Sequence, residues 1–284
     1  MSERFTVGLI QNCASPDTAA NVAETLEMTR EAAAKGAGLV ITPEYFTGLD
    51  TDGASIVAPA FPEEEHPALP AFTALAAELG IVIQLGSLAI ARGDGKSFNR
   101  GYMIGRDGRI EARYDKVCLF DVDLADGESY RESHSIAGGD TAVLAETPWG
   151  PLGMTICYDL RFPQIYRTLS QAGARYLTVP AAFTKTTGEV HWHILNRARA
   201  IENSAYVFAP CQCGTHAGGA SSYGHSLVVA PWGEVLADGG EEPGVITAEI
   251  DPAAVEKARG MIPAWGQKPD YGLGRPNRVQ LAGE

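Results

Sequence analysis

The continuous apolar run Leu39-Val40-Ile41-Thr42 lies between two segments of helical period, which suits a strand buried on both faces. Strands of that kind belong to sheets covered by helices, so the run constrains the chain to an α/β architecture. Upstream, Phe5 to Gln11 is an apolar strand with β-branched content. Asp17 then reads as the N-cap of a helix in which Val22, Leu26, Thr29 and Ala33 recur until Gly36 and Gly38 stop it. A second helix is expected from about Pro67 to Leu79 and a strand from Ile81 to Ile90. The opening therefore reads β-α-β-α-β.

The middle of the chain changes character. Arg100 to Ile104 and Arg109 to Tyr114 flank Asp107-Gly108, where glycine supplies the positive φ that a tight hairpin needs. Val143 to Glu146 and Leu152 to Cys157 flank a second turn at Pro148-Trp149-Gly150. Beyond these we expect a helix near Gln164 to Ala172, a strand Tyr176 to Pro180, a helix from about Val190 to Asn203 and a strand Ala205 to Cys211. A loop Gly214 to Ser222, a hairpin Ser226 to Ala237, a strand Val245 to Ile250 and a helix opened by Asp251-Pro252 complete the pattern. The tail from Ile262 reads as irregular. No linker or fixed repeat divides the chain, so residues 1–284 are read as one domain, with two stacked sheets and helices outside. The Gly-rich dinucleotide fingerprint and the P-loop pattern are both absent, and no cofactor is implied.

Composition narrows the function classes. Hydrophobic residues make up 45% of the chain and charged residues 20%, which excludes disorder and coiled coil. Against 22 Lys and Arg stand 35 Asp and Glu, a net charge of −13. Such a chain has no global field to attract nucleic acid or an anionic membrane. No apolar run approaches the roughly 18 residues of a membrane span, and the N-terminus shows no signal-peptide core. The five cysteines are odd in number and irregularly spaced, as expected of reduced thiols in a cytoplasmic protein.

Three polar residues stand where apolar strands stop. Glu44 follows the Leu39–Thr42 run, Lys116 follows the second strand of the first hairpin, and Cys157 ends Leu152-Gly153-Met154-Thr155-Ile156-Cys157 before the chain turns into a helix. Ligands of α/β sheets bind outside the carboxyl ends of strands, and a helix N-terminus favours thiolate. A carboxylate base, an ammonium for the oxyanion and a thiol nucleophile together compose an acyl-transfer site. Taken singly, each has a blander reading: Cys157 as a small buried residue, Glu44 and Lys116 as surface charges or a salt bridge.

These segments, taken together, resemble the nitrilase superfamily of carbon–nitrogen hydrolases, whose triad is Glu, Lys and Cys in that chain order. The match spans almost the whole chain. Tyr158-Asp159-Leu160-Arg161-Phe162-Pro163, Thr187-Gly188, His191-Trp192, Arg197 to Asn203 and Tyr223-Gly224-His225-Ser226 look like its Nit-type amidase branch, which includes omega-amidases and deaminated-glutathione amidases. The resemblance implies a four-layer α-β-β-α sandwich that is at least a dimer through its helical layer. It makes Glu44 the general base, Lys116 the oxyanion stabiliser, Cys157 the nucleophile and Glu132 a supporting carboxylate, with Glu128 its nearest rival. The activity implied is hydrolysis of a small carboxylate-bearing linear amide to acid and ammonia through a cysteine thioester. A nitrilase, an N-carbamoyl amide hydrolase or an inactive scaffold are the alternatives. Gln212-Cys213-Gly214-Thr215-His216 and Ser222 to Ser226 look closer to the deaminated-glutathione subgroup. Tyr158, Arg161, Phe183 and Lys185 are the candidates for substrate binding, the two cations for a substrate carboxylate.

The remaining signals are weaker. His191-Trp192-His193 invites a metal reading, but residues two apart on a helix point to different faces and no third ligand is in register, so no metal is expected. Cys211 and Cys213 read as core residues, the Trp149 and Trp232 hairpins as packing, and Arg197 and Arg199 as structural. The loop Gly214 to Ser222 is read as either a lid or a flexible connection.

Overall fold

The computed structural model describes residues 3–52, 55–123 and 129–273. In chain order its main elements are β1 (Phe5–Gln11), α1 (Thr18–Ala34), β2 (Ala37–Ile41), α2 (Ala68–Leu79), β3 (Val82–Ala91), β4 (Ser97–Ile104), β5 (Ile110–Asp115), β6 (Val143–Ala145), β7 (Leu152–Met154), α3 (Pro163–Gln171), β8 (Tyr176–Thr178), α4 (Lys185–Asn203), β9 (Tyr206–Ala209), β10 (Leu227–Val229), β11 (Val235–Asp238), β12 (Gly244–Ile250) and α5 (Ala253–Met261). They form two six-stranded mixed sheets, ordered β12-β1-β2-β3-β4-β5 and β6-β7-β8-β9-β10-β11. In each sheet three neighbouring strands run parallel (β1-β2-β3 and β7-β8-β9), and antiparallel partners extend both edges.

Side-chain alternation sets the layers. Val7, Leu9, Leu39 and Ile41 share one core with Met154, Leu177 and Val207 of the second sheet. Ile10, Val40 and Ile83, one residue out of step, share another with Val22, Ala32, Phe72 and Leu75 of α1 and α2. β2 is thus covered on both faces, as its unbroken apolar run requires. Asp17 caps α1 as expected, accepting from the Ala20 N–H at 3.1 Å.

Three local features depart from the expectations. Helix α4 begins at Lys185, five residues before Val190, because the Thr184 carbonyl accepts from the Gly188 N–H at 2.8 Å and its hydroxyl meets that of Thr187 at 2.7 Å. Gly188 weakens a helix, but Tyr223 packs so close that a Cβ there would overlap its ring. The segment Gly214 to Ser222 is not a slack connection: Cys213–Thr215 pairs with Ser221–Tyr223 in a two-stranded hairpin. Trp232 is half exposed, so its turn does not pack as Trp149 does, which stacks on Phe5 at 4.2 Å. From Ile262 to the last described residue, Leu273, the chain is irregular apart from a short 3-10 turn, Pro263–Gly266, fastened by Arg167 donating to the Trp265 carbonyl at 2.7 Å. Among the described residues no helix is long and apolar enough to cross a membrane.

The fold reaches the site through a bulge in β3. Register with β4 shifts between Leu85 and Leu88, and the freed backbone holds the segment after β2. Gly86 N donates to Thr42 Oγ1 at 2.9 Å, and Tyr45 N donates to the Ser87 carbonyl at 3.1 Å. A Cβ at Gly86 would overlap the carbonyl oxygens of Thr42 and Pro43 and lie 2.5 Å from Pro180 Cβ. Glycine is therefore what lets the ends of β2 and β8 close over this bulge.

Candidate active site

Glu44, Lys116 and Cys157 come from three separate strand ends and meet in one buried cluster. Glu44 lies three residues beyond β2, and the next residue, Tyr45, adopts a left-handed φ of 52°. Lys116 directly follows β5. Cys157 opens the 3-10 turn Cys157–Arg161 with φ 47°, and its N–H donates to the Pro180 carbonyl at 2.9 Å. Strand β7 stops at Met154, so the thiol stands on a strained turn beyond the strand rather than at its last residue. Lys116 Nζ donates to Glu44 Oε1 at 3.0 Å, and Glu44 Oε2 accepts from the Ala182 N–H at 2.8 Å. Cys157 and Glu44 line the same cleft.

Glu132 is fully buried on the far side of the ammonium. It takes hydrogen bonds from Lys116 Nζ at 3.0 and 2.9 Å, and from the Phe120 N–H at 2.7 Å. Its rival Glu128 lies outside the described residues. Asn99, on β4, ties the two carboxylates together: its amide donates to Glu44 at 2.8 Å and to Glu132 at 3.2 Å. Asp159, inside the motif that follows the nucleophile, accepts from the Ile156 and Cys118 N–H groups at 2.8 and 2.9 Å and from the Tyr114 hydroxyl at 2.7 Å. It thereby locks the loop after Lys116 to the turn that carries Cys157. Gln212 donates to the backbone carbonyls of Glu44 and Tyr45 at 2.8 and 3.1 Å. Sequence reasoning did not single out Asn99, Asp159 or Gln212 for these duties. Their signal was a polar residue inside an otherwise buried segment.

A cleft opens over the trio. Tyr158, Arg161 and Phe183 line it together with Tyr45, His216 and Ser222. The Arg161 guanidinium lies 5.2 Å from the Phe183 ring centroid and 5.9 Å from that of Tyr158. Lys185 does not line the cleft. It opens α4 on the surface, where its ammonium lies 3.6 Å from Glu241. Arg197 and Arg199 are spent on structure, the first donating to the Gly233 carbonyl and the second to the Leu160 carbonyl and Glu202. Cys211 and Cys213 are fully buried. Among the described residues the one cluster of three metal-ligating side chains lies outside the cleft lining.

Comparison with known proteins shows the family and the fold. The carbon–nitrogen hydrolase family model matches residues 6–260. A deaminated glutathione amidase from Synechocystis is 38% identical over 92% of this chain and 96% of its own length. An omega-amidase NIT2 from Xenopus tropicalis is 35% identical over 93% and 95%. Among solved structures, the C. elegans NitFhit protein superposes with a TM-score of 0.85 at 32% identity, over 94% of this chain and 65% of that one.

Electrostatics sets the resting protonation. Burial opposes the Lys116 charge, but Glu132 and Glu44 outweigh it and hold its pKa well above the ordinary lysine value. Burial, and then repulsion from Glu44, raises the Glu132 carboxyl despite the adjacent ammonium. Burial also pushes the Cys157 thiol well above the usual range, and the neighbouring Glu44 charge pushes it further. The five-residue turn at Cys157 does not offset burial and the Glu44 charge, so the thiol is held toward its neutral form rather than the thiolate expected of a helix end. Alkylation of Cys157 by iodoacetamide, located by peptide mass spectrometry, is therefore expected to be slow at neutral pH and to climb past the ordinary thiol pKa of about 8.5. A fast, pH-independent rate from about pH 6 upward would mean a resting thiolate instead.

Proposed function

The chain belongs to the carbon–nitrogen hydrolase family, and from that premise we propose that it is a thiol amidohydrolase acting on a small carboxylate-bearing linear amide through a thioester on Cys157. The observation that carries this reading is the Lys116 ammonium, held between Glu44 and Glu132 beside a neutral thiol on the floor of the cleft. Cys157 Sγ attacks the amide carbonyl carbon as its proton passes to Glu44. Lys116 and the Tyr158 N–H receive the developing oxyanion. Collapse of the intermediate expels ammonia with the proton from Glu44. Water, deprotonated by Glu44, then attacks the thioester, and the acid and the free thiol are released. One amide and one water become one carboxylic acid and one ammonia. Glu132 is a positioning residue on this account, because its oxygens are taken by Lys116, Asn99 and Phe120 and it does not line the cleft.

Among the described residues, Arg161 is the arginine or lysine that faces the cleft besides Lys116, and we assign it the distal carboxylate of the substrate. Deaminated glutathione is the favoured substrate, on the likeness to the amidases named for it; an α-keto ω-amide is the second reading, on the likeness to the omega-amidase. Five unpaired cysteines suit a reducing cytoplasm. The outward stripe of α4, with Val190, Ile194 and Ile201 at 58, 67 and 52% exposure, is assigned to pairing with a second copy. Sedimentation should give a dimer that Ile194→Glu with Ile201→Glu disperses; a wild-type monomer would remove that assignment.

The test of the activity is ammonia release from a panel of deaminated glutathione, an α-keto ω-amide, an N-carbamoyl amide and a nitrile. Release from the first two is expected, and none with Cys157→Ala. Lys116→Arg should lower turnover by about two to three orders of magnitude, because guanidinium shape cannot replace the ammonium between two carboxylates. Glu132→Gln should fall strongly while Glu128→Gln stays near wild type. Activity confined to the nitrile or to the carbamoyl compound would overturn the amidase reading.

A further inference from the structure

The geometry points to a divalent metal site formed by His193, His225 and Asp238, on the face of the second sheet outside the catalytic cleft. The three residues come from separate elements: α4, the turn before β10, and the end of β11. His193 Nε2 lies 3.0 Å from Asp238 Oδ2, and His225 Nδ1 lies 2.9 Å from Asp238 Oδ1. All three ligand atoms fall within 4.8 Å of one another. Two donors bound to zinc at about 2.1 Å in a tetrahedral shell sit about 3.4 Å apart, so modest side-chain rotation converts this arrangement into a coordination shell. Two imidazoles and one carboxylate select zinc and its borderline neighbours over calcium or magnesium. The fourth position faces solvent, since His193 and Asp238 each keep about a third of their side-chain surface (34 and 35%) exposed.

The surroundings hold the ligands in place, as a working metal site requires. Asp238 Oδ1 also accepts from the Gly240 N–H at 2.9 Å, which fixes the carboxylate. His225 adopts a left-handed φ of 51°, uncommon outside glycine, and is clamped there on both sides. Its carbonyl accepts from Trp192 Nε1 at 2.7 Å and its N–H donates to the Gly240 carbonyl at 2.6 Å. The Tyr223 ring stacks on the His225 imidazole at 4.5 Å and meets His193 edge-on at 6.1 Å. The sequence objection to a metal, that His191 and His193 diverge and no third ligand is in register, does not apply here. His193 is used without His191, and its partners come from the opposite sheet edge. A bound ion would brace the strand Ser221–Tyr223, whose Ser221 and Ser222 line the catalytic cleft.

Cobalt(II) titration of the full-length, chelator-treated chain tests the site, because cobalt reports its ligands optically. Cys157→Ala serves as the background so that the active-site thiol does not compete. One equivalent is expected to give visible d–d bands without sulfur-to-cobalt charge transfer. The affinity should drop at least tenfold in both His193→Gln and Asp238→Asn, a loss at least as large as outer-shell changes produce. Near-UV circular dichroism on the same variants separates loss of ligands from loss of fold. A background protein that binds no cobalt up to millimolar concentration, a thiolate spectrum, or either folded variant retaining full affinity would overturn the proposal.

Discussion

A lysine ammonium buried between two carboxylates is the interaction on which the rest of this structure depends. Lys116 is 1% exposed, Glu44 3% and Glu132 not at all. Desolvating such charges costs several kcal/mol each, and removing one partner of a buried pair costs about 3–5 kcal/mol because the other is stranded. The cluster survives because nearly every remaining lone pair is met. Asn99 serves both carboxylates, the Ala182 N–H serves Glu44, and the Phe120 N–H serves Glu132. Burial and the adjacent Glu44 charge hold the Cys157 thiol toward its neutral form. On the proposed mechanism, the same carboxylate that disfavours the thiolate at rest accepts its proton during attack.

The sandwich exists, from the site's viewpoint, to bring three strand ends to one place and to freeze them there. Glu44 depends on the β3 bulge at Gly86 and on the Gln212 amide beneath its backbone. Lys116 and Cys157 are tied to each other by Asp159, whose carboxyl is buried with Tyr114, Ile156 and Cys118 as donors. Left-handed φ values at Tyr45 and Cys157 mark where that fastening holds strain, beside the reacting atoms.

Much of this was legible in the residues. Strand β1 was bounded correctly by its apolar run and α1 by its Asp17 cap, while the four-layer order came from the family resemblance. The candidate catalytic residues were legible because each interrupts an apolar run at a strand end and lies in a matched motif. What sequence could not supply was pairing at a distance. Asn99 bridging Glu44 and Glu132 spans 55 and 33 residues of chain, and Gln212 supports Glu44 across 168. Helix α4 was read short because Gly188 counts against a helix until Tyr223 is seen to occupy its missing side chain. Lys185 was placed by its neighbourhood in sequence, but its ammonium lies against Glu241 and does not line the cleft. The thiolate expectation failed for a related reason: a turn's dipole is local, whereas burial and the Glu44 charge are tertiary.

The charge on Lys116 is the central claim, and nuclear magnetic resonance of chains labelled at the lysine side-chain carbons and nitrogens reads it directly. Lys116→Arg identifies its signal among the six lysines of the chain. The account predicts that this signal keeps its ammonium shift as the pH is raised past the ordinary lysine pKa of about 10.4. A Lys116 signal that moves to the neutral-amine shift at or below neutral pH would contradict it.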